Sequence, residues 1–342
     1  MAETVNIGEI ANRLSEEIFQ SFGWKAHPKR DDNFPCGDPD HLVKESKKGV
    51  SGGASKPKQK DSHPGDVVFF YQDPYLGKKI YLHTDLKSYA KDSVSAVKLR
   101  SAIESLAMTV ECARNSENWR TKYSVPADED CEVRGLLFVH NHDGQYLNDF
   151  SETVRKTNLA TIPVPANVYV HFIGPHDINR LFTIANDIMR LQHQNTLPSQ
   201  YSFYYPDLVM WRRHGDVFSQ PATIEVLTAP YSIITYETGD KSPPGFLIYY
   251  NRNGATVDEF VYFLDSLSRF QMLEPGKLIR IRIVSKSPHD DFMSNFKAAT
   301  EQYSKAWGFD EARTQLLQDI KVERVTAVAS SYSAPFIGWR AH

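Results

Sequence analysis

The chain reads as an α/β domain followed by a smaller α+β domain, and three observations carry that reading. An amphipathic helix opens the chain, a tight hairpin of two apolar, β-rich runs follows, and a long helix and further apolar strands come next. Beyond about Thr196 the character changes: Pro, Tyr and Trp thicken, and short strands recur between helices. A length of 342 residues suits one large domain or two ordinary ones. The predicted division is 1–195 and 196–342.

Each element has its own signal. In residues 6–22, Ile7, Ile10, Ala11, Leu14, Ile18 and Phe22 fall on one stripe at spacings of three and four, and Gly23 ends the run. Residues 25–63 are rich in breakers, with a short strand near 24–27. Within them, residues 44–60 hold six lysines against one glutamate and read as a mobile loop. Val67-Val68-Phe69-Phe70-Tyr71 and Ile80-Tyr81-Leu82-His83-Thr84 predict strands over 66–72 and 79–87, joined by a turn containing Pro74 and Gly77. Val94, Val97, Ile103, Leu106, Ala107 and Val110 mark the buried side of a helix over 93–114. Strands at 135–140 and 168–173 follow, the second leading into a helix that Asp177 caps and that runs to about 193. In the second domain, strands are expected at 224–227, 232–237, 246–250, 278–284 and 324–329. A helix is expected at 257–272, with one or two more between 292 and 318.

The formal net charge of −3 gives no overall basic character, so a polyanion must be held by a local patch or a metal. Cys36, Cys112 and Cys131 are scattered and odd in number, which fits a reduced compartment and no disulfide framework. No apolar run approaches ~18 residues, and the N-terminus lacks signal-peptide order. The expectation is a soluble cytoplasmic protein without a membrane partner. Residues 49–56 are glycine-rich but lack the Gly-Lys-Ser/Thr ending of a nucleotide-binding loop. There is no Gly-x-Ser-x-Gly elbow, and no Cys–His pairing that predicts a site.

The hairpin carries the chemistry. It opens with His63-Pro64-Gly65-Asp66 and closes with Asp85-Leu86-Lys87. Symmetry about Tyr75 and Leu76 sets Asp66 opposite Asp85, with β-carbons roughly 4.5–5.5 Å apart. Lys87, two residues beyond Asp85, shares its face. Acidic-x-Lys also occurs at Glu45-Ser46-Lys47 and Asp319-Ile320-Lys321, but neither closes a hairpin with an aspartate in register. An exposed salt-bridge cluster is the plainer reading. Yet both strands are nearly continuous in apolar residues, as expected of a central strand pair covered on both faces. Charges converging there need a metal or a partner.

The order of helix, short strand, Pro-Gly-Asp strand, Asp-x-Lys strand, helix and strand resembles the PD-(D/E)XK nuclease superfamily, over about residues 6–140, with 193 as the outer bound. The resemblance implies a restriction-endonuclease-like mixed sheet flanked by helices in residues 1–195. Residues 196–342 would then be an accessory domain for recognition, dimerisation or partner binding. It implies Asp66 and Asp85 as acidic metal ligands and Lys87 as the catalytic lysine. Two departures stand out. Gly65 separates the proline from the aspartate. Many members also carry a glutamate on the first helix, about eleven residues before its terminal glycine, where this chain has Asn12. Glu9, one turn earlier and opposite the apolar stripe, is assigned in its place, with Glu16 and Glu17 one turn later as the alternatives.

That chemistry requires Mg2+, or Mn2+, held by Asp66, Asp85 and the carbonyl of Leu86, because an all-oxygen set favours these ions over zinc. Lys87 would position or deprotonate the attacking water, or stabilise the phosphorane. His83 has the parity of Asp85 and reads either as a substrate contact or as a hydrogen-bonded core residue. Lys56, Lys58 and Lys60, just ahead of Asp66, read as a clamp on a phosphate backbone or as a solvated linker. Lys277, Arg280, Arg282 and Lys286 read as a nucleic-acid face or as charges protecting an edge strand. Tyr201, Phe203, Tyr204, Tyr205, Trp211, Arg212 and Arg213 suit base stacking, a protein interface or core packing. His140-Asn141-His142-Asp143 spells an HNH-like string but runs from a strand into a turn at Gly144. The expected activity is magnesium-dependent endonucleolysis of DNA in bacterial restriction or anti-phage defence, a step of fold-level analogy. The alternatives are an RNA-cleaving effector and a catalytically inactive nucleic-acid or protein-binding module. A homodimer and a separate ATPase, helicase or sensor protein are the expected protein partners.

Overall fold

Two five-stranded sheets share one layer of helices in this chain, which the computed structural model describes over residues 2–44, 57–206, 220–237 and 243–325. Lys47, Lys48 and Lys56 of the lysine tract, Trp211, Arg212 and Arg213, and the end of the strand expected at 324–329 lie outside the described residues.

The first part runs α1 (Ala2–Ser21), β1 (Lys25–Ala26), β2 (Phe34–Pro35), β3 (Leu42–Lys44), β4 (Pro57–Gln59), β5 (Ser62–His63), β6 (Val67–Gln72) and β7 (Lys79–Tyr89). Then come α2 (Ala96–Asn115), α3 (Glu117–Lys122), β8 (Cys131–Asn141), α4 (Phe150–Arg155), β9 (Val170–Ile173) and α5 (Pro175–His193). The sheet order is β1-β6-β7-β8-β9. Its β1–β6 and β6–β7 pairs are antiparallel and the rest parallel, so the sheet is mixed and β7 is central. Residues 25–63 are not one loop: β2 pairs with β5, and β3 pairs with β4.

The alternation of side chains divides the layers. Phe69, Tyr71, Leu82 and Phe138 pack on Leu14 and Ile18 of α1 and Leu181 and Ile188 of α5. Val68, Tyr81 and Leu137 pack on the other side, against Leu99, Ile103 and Leu106 of α2 and Trp119 of α3. Asp177 lies in the first turn of α5 rather than capping it. Gly174 holds the cap position, followed by Pro175, whose fixed φ suits the first helical turn.

The second part holds β10 (Ser202–Phe203), α6 (Ile224–Thr228), β11 (Tyr231–Tyr236), β12 (Gly245–Tyr250), α7 (Val257–Arg269), β13 (Leu278–Ile283), α8 (Phe292–Ala306), α9 (Glu311–Gln318) and β14 (Lys321–Arg324), with strands in the order β10 to β14. Residues 224–228 form a helical turn, not the expected strand, and the Thr223 hydroxyl accepts from the Val226 amide at 3.4 Å to start it. Leu247 and Tyr249 face the shared helix layer, while Ile248 and Ile281 face α7 and α8.

This placement corrects two readings. β13 lies between β12 and β14, and Arg280 and Arg282 point toward the shared layer. Arg282 donates to both oxygens of Asp187 on α5, at 2.9 and 2.7 Å, and Arg280 donates to the Thr196 carbonyl at 2.8 Å. These arginines form neither a nucleic-acid face nor an edge guard. Among the described aromatics, Phe203 and Tyr205 are buried in the shared core, and the Tyr201 hydroxyl donates to the Ser21 carbonyl at 2.6 Å. No helix among the described residues is long and apolar enough to cross a membrane.

Candidate active site

The site is built by the turn of the β6–β7 hairpin. Asp73 bonds backbone to backbone with Lys78, and its carboxylate accepts the amides of Tyr75 and Leu76 at 2.9 and 2.8 Å. Gly77 takes φ +64°, a conformation that glycine adopts without strain. This turn pairs Val67 with Thr84 and Val68 with His83, and the same register sets Asp66 against Asp85. Both aspartates share the parity of Val68 and Tyr81, so they point to the α2 face. Gly65 is needed for close approach: a β-carbon there would sit 2.8 Å from the Tyr123 hydroxyl and 3.0 Å from the Asp32 carbonyl.

Asp66, Asp85 and Lys87 come together. The Leu86 amide donates to Asp66 Oδ2 at 2.7 Å, and Lys87 Nζ is ion-paired with Asp85 Oδ1. Burial, and then the charge of Asp85, push the Asp66 carboxyl up to about 6. Burial opposes the charge on Lys87, but Asp85 and Asp66 outweigh it and its pKa is raised overall. Two carboxylates held together in a partly dry cleft disfavour one another's charge, and a divalent cation reverses that. The oxygen-rich donor set therefore fits a hard metal ion. Across the cleft stand Ser105 and Thr109 of α2.

The remaining predicted residues separate. His83 is 1% exposed, with Nε2–H donating to the Pro64 carbonyl at 2.7 Å and Nδ1 accepting from Trp119 Nε1 at 3.3 Å. Both ring nitrogens are committed, so the reading of His83 as a substrate contact gives way to the core reading. Lys60 reaches Ser105 Oγ at 3.5 Å, on the wall of the cleft. Burial lowers its pKa, opposed by neighbours that include Asp85. Lys58 is exposed and ion-paired with Asp61 at 2.9 Å, and Lys56 lies outside the described residues.

Of the carboxylates on α1, the side chain of Glu9 lies outside the described residues. Glu16 pairs with Arg30 at 2.5 Å, and the next two residues, Asp31 and Asp32, donate their amides to the carbonyls of Asp66 and Gly65. Glu17 pairs with Arg13 on the same helix. The helix itself packs on the sheet face opposite the aspartates. His140 and His142 share Ser88 at 3.2 and 3.4 Å.

Sequence reasoning missed Tyr123, which stands beside Gly65 and whose phenol is pushed up to about 12 by burial, Asp32 and Asp66. It follows α3, an element with no signal at a distance of 57 residues from Asp66 along the chain.

Residues 1–177 match the family described as the GAPS4 protein PD-(D/E)XK nuclease domain. No curated protein and no solved structure gives a significant match. The matched span takes in the whole first sheet, with Asp66, Asp85 and Lys87 on its hairpin. Matched over more than half its length, the chain belongs to the GAPS4 family of PD-(D/E)XK nuclease domains.

Proposed function

We propose that the protein is an endonuclease that hydrolyses DNA phosphodiester bonds with Mg2+, or Mn2+ in its place, in restriction or anti-phage defence. One observation carries this reading: two aspartates opposed in register share a face with an ion-paired lysine, at a cleft in a nuclease-family domain. Asp66, Asp85 and the Leu86 carbonyl would hold the ion, which supplies Lewis-acid neutralisation of phosphate charge and activation of water. The chain's own residues do the rest. The Leu86 amide orients Asp66, and the Asp85 carboxylate holds Lys87 over the cleft. As an ammonium, Lys87 is suited to bind a phosphate oxygen and stabilise the charge that builds as water attacks phosphorus. Lys60, on the cleft wall, suits a contact to the DNA backbone.

The test is to incubate the full chain with linear, supercoiled and single-stranded DNA and with RNA, each with magnesium, manganese or a chelator. Metal-dependent DNA cleavage that disappears in Asp66→Ala and Asp85→Ala is expected. Cleavage surviving in Asp85→Ala overturns the site, and cleavage confined to RNA overturns the substrate.

A further inference from the structure

We propose that Cys36, His41, His63 and Cys112 bind one zinc ion in a tetrahedral centre distinct from the aspartate pair. Cys36 and His41 come from the loop after β2, His63 from β5 and Cys112 from α2. One potential ligand atom from each lies within 4.8 Å of all the others. His41 Nδ1 is 3.4 Å from Cys36 Sγ and 3.3 Å from His63 Nε2. In a tetrahedron the ligand–ligand edge is about 1.6 times the bond length. Zinc–nitrogen and zinc–sulfur bonds of about 2.0 and 2.3 Å therefore give edges of roughly 3.3 Å between nitrogens and 3.5 Å between nitrogen and sulfur. Both edges at His41 Nδ1 match that spacing, and the other pairs lie within 4.8 Å.

The surrounding hydrogen bonds fix which atoms carry protons. The Thr109 hydroxyl donates to the Ser105 carbonyl at 2.8 Å, so its oxygen accepts from His63 Nδ1–H at 3.1 Å. His63 Nε2 then turns a lone pair inward. His41 Nε2 stands 3.1 Å from Glu111 Oε2 and 3.7 Å from Asp38 Oδ2, so its proton sits there and Nδ1 faces inward. Burial pushes the Cys112 thiol up, and the Gly37 amide, which donates to its Sγ at 3.3 Å, opposes that. Two imidazole lone pairs and two sulfurs thus converge with His41, His63 and Cys112 buried, a donor set in which a metal ion can take the place of the two thiol protons. Outer partners of this kind, a carboxylate on one imidazole and a hydroxyl on the other, are how proteins aim metal-binding histidines.

Charge and ligand type select the ion. Two thiolates neutralise Zn2+, and binding releases the two thiol protons to solvent. Sulfur and imidazole donors favour zinc, whereas the all-oxygen aspartate pair favours magnesium. Four protein ligands leave no open position, so the centre is structural. Its place gives it a purpose: His63 lies three residues before Asp66, and Cys112 lies on the helix that walls the cleft. β2 and β5 are two residues each, too short to hold this segment by themselves. The ion would pin the approach to Asp66 onto α2.

Metal analysis of the full chain, purified without chelator, tests this. About one equivalent of zinc per chain is expected, released when the thiols are modified and detected with a chromogenic chelator. Cobalt exchanged into the protein should show thiolate-to-metal charge transfer and the intense d–d bands of a tetrahedral site. Cys36→Ser and His41→Asn should each lose the zinc, while Asp85→Asn keeps it and loses only cleavage. Background zinc in folded wild-type protein overturns the proposal. So does a Cys36–Cys112 disulfide found by non-reducing mass spectrometry, or a cobalt spectrum unchanged by Cys36→Ser. The wild-type measurements decide the matter even where a variant fails to fold.

Discussion

Asp85 and Lys87 lie two positions apart on the central strand, and the proposed function gives them separable duties. On the proposed function Asp85 would supply an anionic oxygen to the metal and Lys87 would act on the substrate's charge, so truncating each should give a different pattern. Lys87→Ala is expected to slow single-turnover cleavage by roughly 100- to 1,000-fold, the loss typical of one preorganised electrostatic group. It should leave magnesium binding by calorimetry intact, whereas Asp85→Ala abolishes both. Equal loss of metal binding in the two variants would sink this division. Another single residue sets an acid limit. His140 is buried beside Ser88, and burial, then His142, lowers its pKa from 6.5 to about 4. Between those values the unfolded chain binds a proton that the native chain refuses. Stability is therefore complete above about pH 6.5 and declines on acidification toward pH 4, by up to about 3 kcal/mol. Urea midpoints measured across that range should fall more steeply in wild type than in His140→Gln, and parallel slopes would refute it.

At the scale of elements, the hairpin is where sequence and structure agree most closely, because its register depends on local chemistry. Asp73, Pro74 and Gly77 specify the turn, and a period of two then carries the pairing along apolar strands to Asp66 and Asp85. Replacing Asp73 by Ala leaves the Tyr75 and Leu76 amides without their acceptor, a loss of about 1–3 kcal/mol. Asp73→Asn keeps an oxygen in place and should recover most of it, as thermal melts of the two variants would show. What was not legible depends on distant parts of the chain. Alternation in β13 says that Arg280 and Arg282 share a face, but not that a helix layer and Asp187 cover that face. Residues 224–228 are too short an apolar run to distinguish a strand from a helical turn, and Thr223 decides it through its cap. The two cysteines and two histidines span residues 36 to 112 with no familiar spacing, so only folding brings them together. The α1 carboxylates differ in which arginine each meets, which a helical stripe does not encode.

For the whole molecule, the decisive feature is that α1 and α5 are covered on both sides. Leu14, Ile18, Leu181 and Ile188 pack in one continuous apolar cluster that also takes in Phe69 and Leu82 of the first sheet and Leu247 and Tyr249 of the second. Polar bonds cross the same layer. Trp24 Nε1 donates to the Ala222 carbonyl at 2.6 Å, the Ile224 amide donates to the Tyr71 hydroxyl at 3.2 Å, and Arg282 and Tyr249 both donate to Asp187. Asp187 is fully buried and accepts from Arg282, Tyr249 and, on its own helix, Arg190 at 2.6 Å, so removing the first two breaks a buried network. The nuclease-family match ends at residue 177, two residues beyond the start of α5, which is a boundary of likeness and not of folding. A polypeptide of residues 1–195 keeps the aspartate pair and Lys87 but uncovers one face of α5 together with Asp187. It should therefore collect in aggregates or in a loosely packed state that binds hydrophobic dyes and lacks near-UV circular dichroism, while the full chain melts with both sheets in one transition. A monomeric 1–195 fragment with sharp cooperative melting and undiminished cleavage would show instead that the first sheet needs no second one to hold its site.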